Sequence, residues 1–444
     1  MKANQPGEII QPLNPADYFT LAMDDEIRRE NMPGSLCGFA LQLDKAPDIE
    51  QLSCRIDEFI LQFPLAVARL QEHGKRFYWC TREKPEPIFF QHCCPESESD
   101  DSFQRSTIQN IMNHAEAREI TAPIEFHLIS GQNSHCFLLR WIHPFCDARG
   151  IDLILKYLCT DTKVQRELFD SPKAEALING QLDKFKWWQK VYLFIKANRY
   201  INKLDRYQSI LHGQYLQVPQ RLVALTQLFT EQETAVITQQ ARQHCGLTGT
   251  SLYYIGCLMR ALQELEPNQP GEAYCVPYAF NLRKQKALNP VLGNHIGALF
   301  AQAPKHLLHD RALLFSHLKQ QNAQVMRQQL DYAFLPVMWA ASWLSLKKHG
   351  AELRKSYKNG SERSSFWFSD IGQIHFEPNC FFNSDITDVF HFTQVSSPPG
   401  LALLCCLYRK QLTVSYSFNE PLFSETWITQ LHTKMAQELL GQTQ

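Results

Sequence analysis

The run Cys136-Phe137-Leu138-Leu139-Arg140-Trp141-Ile142 interrupts its apolar side chains with a single charge and reads as a buried strand. It ends in His143-Pro144-Phe145-Cys146-Asp147-Ala148-Arg149-Gly150 and enters a second apolar run, Ile151 to Leu158. A histidine, an acid four residues later and a glycine thus lie between two core segments. A strand-end histidine followed by a turn that holds a carboxylate has the arrangement of a general base in a fixed pose. The spacing alone is common, and a histidine packed beside a buried aspartate can equally be a satisfied structural group. The segments around it must decide.

With 444 residues the chain exceeds one ordinary core, and two domains of roughly 200 residues are expected. We place them at residues 1–215 and 216–444, with the second half starting near Gln217-Val218-Pro219. Asn14-Pro15-Ala16-Asp17-Tyr18-Phe19 opens a short helix. Leu52, Ile56, Phe59, Ile60 and Phe63 form a helical stripe. Ser35 to Leu43 reads as a strand, and Leu65 to Trp79 as strand, turn and strand. Cys93 to Arg105, rich in Ser, Asp and Glu, reads as a solvated loop. Ile124 to Ile129 and Cys136 to Ile142 form a hairpin through Ser130 to Ser134. In the second half, Thr230 with Glu233 caps a helix. Ser251 to Leu265, Ala312 to Leu330 and Ser424 to Leu440 also predict helices, while Ala273 to Phe280, Phe366 to Phe368, Leu401 to Tyr408 and Leu412 to Phe418 predict strands. Each half mixes strands with helices, so the fold class is α/β, of mixed α+β character.

A formal charge of -1 and a pI near 7.0 give no case for nucleic acid. Met1 to Gln11 lacks the apolar stretch of a signal peptide, and no run approaches the roughly 20 apolar residues of a membrane span. The fourteen cysteines include the neighbours Cys93-Cys94 and Cys405-Cys406 but no Cys-x-x-Cys, so reduced thiols are expected and structural zinc is not. No third ligand accompanies His143 and Asp147, so no metal is assigned. Cys146 points away from His143 on an extended segment, and packing accounts for His127 and His135. A cytoplasmic monomer is the expectation.

Residues 184–207 are unusual. Lys184, Lys186, Lys190, Lys196, Arg199, Lys203 and Arg206 interleave with Phe185, Trp187, Trp188, Tyr192, Phe194, Tyr200 and Tyr207. One reading is a connecting helix whose aromatics pack between two domains. The other is a basic, aromatic helix that makes a peripheral contact with a membrane surface or meets a lipid-like substrate.

Taken together, these segments resemble the CoA-dependent acyltransferase superfamily, which spans chloramphenicol acetyltransferase, plant BAHD acyltransferases, condensation domains of peptide synthetases and bacterial wax ester synthase/diacylglycerol acyltransferases. Pro15-Ala16-Asp17-Tyr18-Phe19 is similar to the Pro-x-Asp-x-Phe start of the wax ester synthases. His143-Pro144-Phe145-Cys146-Asp147 stands where the family carries His-x-x-x-Asp. Gly246-Leu247-Thr248 with Ser251 looks like the helix break of the second half, and Asn281-Leu282-Arg283 with Leu292-Gly293-Asn294 like its strand-arginine and Gly-Asn elements. The chain departs from the pattern in three ways. Ile142 replaces a first histidine, Ala148 replaces the glycine after the acid with Gly150 two residues on, and Asp-Phe-Gly-Trp-Gly is missing near the C-terminus. The bacterial branch is therefore nearer than the plant one. Ala148 would be strained only if its position required positive φ.

The resemblance implies two similar chloramphenicol acetyltransferase-like lobes, each a mixed sheet with flanking helices, and a channel between them. It implies transfer of an acyl group from acyl-CoA to the hydroxyl of an apolar acceptor, with His143 as general base and no bound cofactor. Asp147 would pair with Arg283 to hold the catalytic loop, Asn294 would brace the channel or position the thioester, and Gly150 would support the turn. Ser369 and Asp370 are similar to a Ser-Asn element near the channel, with Asp in place of Asn. Two alternatives stay open: a condensation-like enzyme that uses a carrier-protein thioester and an amine or alcohol, and an inactive relative that serves as a binding module.

Overall fold

A computed structural model describes residues 8–442 apart from 75, 83–85, 119, 161–184, 214–217, 283–292, 359 and 377–379. The chain opens with β1 (Ile9–Pro12) and α1 (Pro15–Arg29). Asn14 caps α1 reciprocally with Asp17, Pro15 supplies a preset φ in the first turn, and Arg28 and Arg29 lie at its negative end. There follow β2 (Leu36–Leu43), α2 (Ile49–Gln62), β3 (Arg69–His73), β4 (Arg76–Cys80) and β5 (Phe89–Cys93). Next come α3 (Asp100–Asn113), β6 (Ile124–Ser130), β7 (His135–Ile142) and α4 (Ala148–Cys159). A helix α5 (Trp187–Leu204) leads to β8 (Arg221–Leu228), α6 (Glu231–Cys245) and α7 (Thr250–Leu265). Then come β9 (Ala273–Asn281), β10 (Ile296–Pro304), α8 (Arg311–Arg327), α9 (Leu330–Ala341) and α10 (Leu346–Lys358). The chain finishes with β11 (Trp367–Gln373), β12 (Cys380–Phe381), β13 (Ser384–Thr393), β14 (Leu401–Tyr408), β15 (Gln411–Glu420) and α11 (Glu425–Leu439).

The strands build two six-stranded mixed sheets, in the orders β12-β13-β2-β7-β6-β5 and β10-β9-β11-β14-β15-β8, with a small sheet β1-β4-β3 beside the first. Each large sheet carries its own apolar core. In the first lobe the α2 stripe buries Leu52, Ile56 and Phe59, and the Phe59 ring meets Phe126 of β6 edge-on at 6.0 Å. The central strand β7 is buried from Cys136 to Ile142, as a strand covered on both faces must be. The two-lobed mixed α/β architecture expected from the sequence is present.

Two expectations change. The segment from 93 to 105 is a loop only up to Ser99, whose side chain accepts from Ser102 N and starts α3. The acidic residues that suggested a solvated loop, Asp100 and Asp101, occupy the first turn of a helix, where the dipole favours them. The cut between 215 and 216 is also crossed twice. Helix α5 packs on the second lobe, where Leu193, Ala197, Tyr200 and Leu204 meet Leu299, Leu330 and Phe334. In the other direction, β13 returns from the second half to pair antiparallel with β2 in the first sheet.

Candidate active site

The segment from His143 to Asp147 lies between β7 and the start of α4, at the seam of the two lobes. The His143 N–H donates to Ser35 O at 2.8 Å, and the chain turns back at once, with Phe145 N on Ile142 O at 2.9 Å. Trp141 Nε1 donates to Cys146 O at 2.8 Å in the buried interior. The loop then hands over to α4, which Asp147 caps by accepting from Gly150 N at 3.0 Å. Gly150 therefore acts through its backbone N–H. Ala148 is the first helical residue, and neither it nor Gly150 has positive φ. The substitution of Ala for the usual glycine is free of backbone strain. Ile142, in place of a first histidine, is buried core.

The second lobe reaches into this loop through Gly293-Asn294-His295. Gly293 N donates to Phe145 O at 2.8 Å, and a bridge joins Gly293 to Cys146. Gly293 has φ +92, and a Cβ there would lie 3.1 Å from Asn14 Nδ2, so both conformation and proximity call for glycine. Asn294 is fully buried. Its Nδ2 donates to His143 O at 2.8 Å and to Asp17 Oδ1 at 3.0 Å, while its N–H reaches the same Oδ1 at 2.6 Å. The next residue, His295, donates its N–H to Asp147 Oδ2 at 2.8 Å. One short segment thus holds the carbonyl of the histidine, the capping aspartate and the start of α1.

His143 is half-buried as a residue, but its Nδ1 is inside the protein and makes no hydrogen bond. Burial lowers the imidazole pKa below its usual value, against the opposing pull of its own carbonyl, the Asp147 charge and Asn294. A group shifted that way is neutral at pH 7, as a proton acceptor must be.

The structure brings together His143, Asp147, Gly150 and Asn294. Arg283 lies outside the described residues. Asp17 is a partner the motif did not indicate: burial pushes its carboxyl up to about 7, although Asn294 and Asn14 donate to it. Asn14-x-x-Asp17 is a legible cap, but its contact with Asn294 spans 277 residues. Asp370 is also near. It accepts from Ser251 Oγ at 2.7 Å and from Gly372 N at 2.8 Å, and Arg149 of α4 pulls its pKa down while burial raises it overall. His127 belongs to a separate buried network with Glu125 and His92. Among the described residues no three His, Cys, Asp or Glu side chains gather as a metal would require.

No protein-family model matches the chain. No curated protein matches it either. Solved structures do. A trichothecene 15-O-acetyltransferase from Fusarium sporotrichioides superposes with a TM-score of 0.69 at 13% identity, covering 97% of this chain and 94% of that one. The starter condensation domain of rhizomide synthetase, solved in complex with C8-CoA, gives 0.66 at 11% identity over 97% and 94%. The wax ester synthase/diacylglycerol acyltransferase of Marinobacter aquaeolei VT8 gives 0.56 at 13% identity over 96% and 98%. At such identities the likeness concerns the fold alone, which the chain shares with these acetyltransferase, condensation-domain and wax ester synthase structures.

Proposed function

We propose that the protein is an acyltransferase that moves an acyl group from an acyl-CoA thioester to the hydroxyl of an apolar acceptor. The observation that carries this reading is His143: an imidazole that burial holds towards its neutral form, at the end of β7, its carbonyl gripped by Asn294 from the opposite lobe. In the proposed step the acceptor oxygen attacks the thioester carbonyl while its proton passes to His143 Nε2. Collapse of the tetrahedral adduct breaks the carbon–sulfur bond, and the departing thiolate recovers that proton from the imidazolium. No acyl-enzyme forms, so no cysteine is needed as nucleophile. Asp147 shapes the loop, with Arg283 as its proposed cation partner, and a channel between the lobes would admit donor and acceptor.

Replacing His143 with Ala should leave circular dichroism and the unfolding midpoint close to wild type and lower turnover by on the order of 10² to 10⁴-fold. Undiminished turnover would remove His143 from the mechanism. A carrier-protein donor is the second reading, supported by the likeness to a condensation domain at a TM-score comparable to that of the acetyltransferase. Acyl-CoA and acyl-carrier protein, given in turn with an alcohol and an amine while free thiol is measured, separate the two. Binding of thioester without thiol release from either donor identifies an inactive binding module.

A further inference from the structure

Helix α5 packs on the second lobe through Leu193, Ala197, Tyr200 and Leu204, spaced so that all four fall on one side. Its other side is not polar in the first half. Trp187 is 78% exposed and Trp188 53%, and Val191 and Ile195 project with them at 50% and 42%. A packing role for these aromatics between the domains is thereby excluded for Trp187 and Trp188. Asn198 and Asn202 continue the same outward line as polar residues. From residue 185 to 204 there is no acid, while Lys186, Lys190, Lys196, Arg199 and Lys203 are basic, in a chain of net charge -1. Among the described residues no helix is long and apolar enough to cross a membrane.

We propose that this face of α5 docks the protein on the surface of an anionic lipid bilayer. The apolar side chains from Trp187 to Ile195 would enter the boundary between head groups and acyl chains, while Arg199 and Lys203 on the flank face lipid phosphates. Charge decides between occupants. A second copy docked about a two-fold axis would set this basic helix against itself. An anionic bilayer complements the bases and accepts projecting indoles without a matching cavity. The proposal goes beyond acyl transfer and does not depend on it.

The test is co-sedimentation with vesicles of phosphatidylcholine, with or without phosphatidylglycerol. Wild type should bind the anionic vesicles, and less so as salt rises. Trp187→Ser/Trp188→Ser should lower the bound fraction about tenfold, and Arg199→Glu/Lys203→Glu should abolish the preference for phosphatidylglycerol. Leu61→Ser, at another exposed apolar site, should bind as wild type does. Circular dichroism confirms that each variant is folded. The proposal is overturned if wild type binds neither vesicle, or if the double serine variant binds undiminished. It is equally overturned if that variant only converts a dimer to a monomer, or only loses binding to an acidic carrier protein. Vesicle binding is read without turnover, so its failure is distinct from failure of the acyl-transfer reading.

Discussion

Asp17 and His143 are tied through one side chain, Asn294, and this tie makes their roles separable by experiment. Three N–H donors converge on the Asp17 carboxylate. Asp17→Ala would leave them facing a methyl group, an expected loss of about 1–3 kcal/mol in denaturant unfolding. Because Asn294 also grips His143 O, the same variant should lower kcat more than it raises KM. The His143 pKa is depressed in the folded protein, and the base is competent only when neutral. The acid limb of kcat/KM assigned to it should therefore lie below the ordinary value of about 6.5. A limb above that value, unchanged in Asp17→Asn, contradicts the assignment. Of these residues the sequence made His143, Asp147 and Asn294 legible, since each sits in a short motif. Asp17 was legible only as the acid of a helix start and of the Pro-x-Asp-x-Phe likeness, because nothing local encodes its contact with the far half of the chain.

At the scale of elements, legibility followed local signals. The capping box at Thr230 and Glu233 and the helical stripe at Leu52, Ile56 and Phe59 announce α6 and α2 within a few residues. Helix α3 was missed because Ser99 and its following acids were weighed as a polar composition rather than as a start signal. Strand β10 was not read as a strand, because Ala, Gly and Gln interrupt its apolar alternation and pairing with β9 decides its state. Helix α4 offers a test of how a cap serves a site. Asp147 is both its cap and the acceptor for His295 N. Asp147→Ala removes a cap worth about 1 kcal/mol and strands a buried donor at about 1–3 kcal/mol. Urea unfolding should therefore show a loss of roughly 2–4 kcal/mol, with Asp147→Asn milder because an oxygen remains. Full stability in the alanine variant would mean that the loop is held by other contacts.

For the whole molecule, β13 is the strand by which the second half of the chain completes the first sheet. It also binds the second sheet: Cys406 Sγ donates to Val389 O at 3.2 Å, and Thr413 Oγ1 to Asp388 Oδ1 at 3.1 Å. His391 lies in this strand opposite Phe39 of β2, stacked at 6.3 Å, with both ring nitrogens buried and unpartnered. Burial drives its pKa down to about 3. Unfolded, it would titrate near 6.5. Between those values the unfolded chain binds the extra proton, so the stabilising effect is complete above the unfolded pKa and is lost as pH falls towards 3. The loss approaches about 1.4 kcal/mol per pH unit, or roughly 3 kcal/mol from pH 6.5 to 4. Asp17 has the opposite sign: its carboxyl, raised to about 7, favours the folded state at low pH and loses that effect as pH rises through 7. The slope of the wild-type protein alone is therefore ambiguous, and the informative quantity is a difference. His391→Phe keeps an aromatic ring against Phe39 and removes the titrating group. Urea midpoints measured at several pH values between 4 and 7 should fall less steeply with acid in this variant than in wild type. Parallel curves would place the acid sensitivity of the lobe seam elsewhere than in β13.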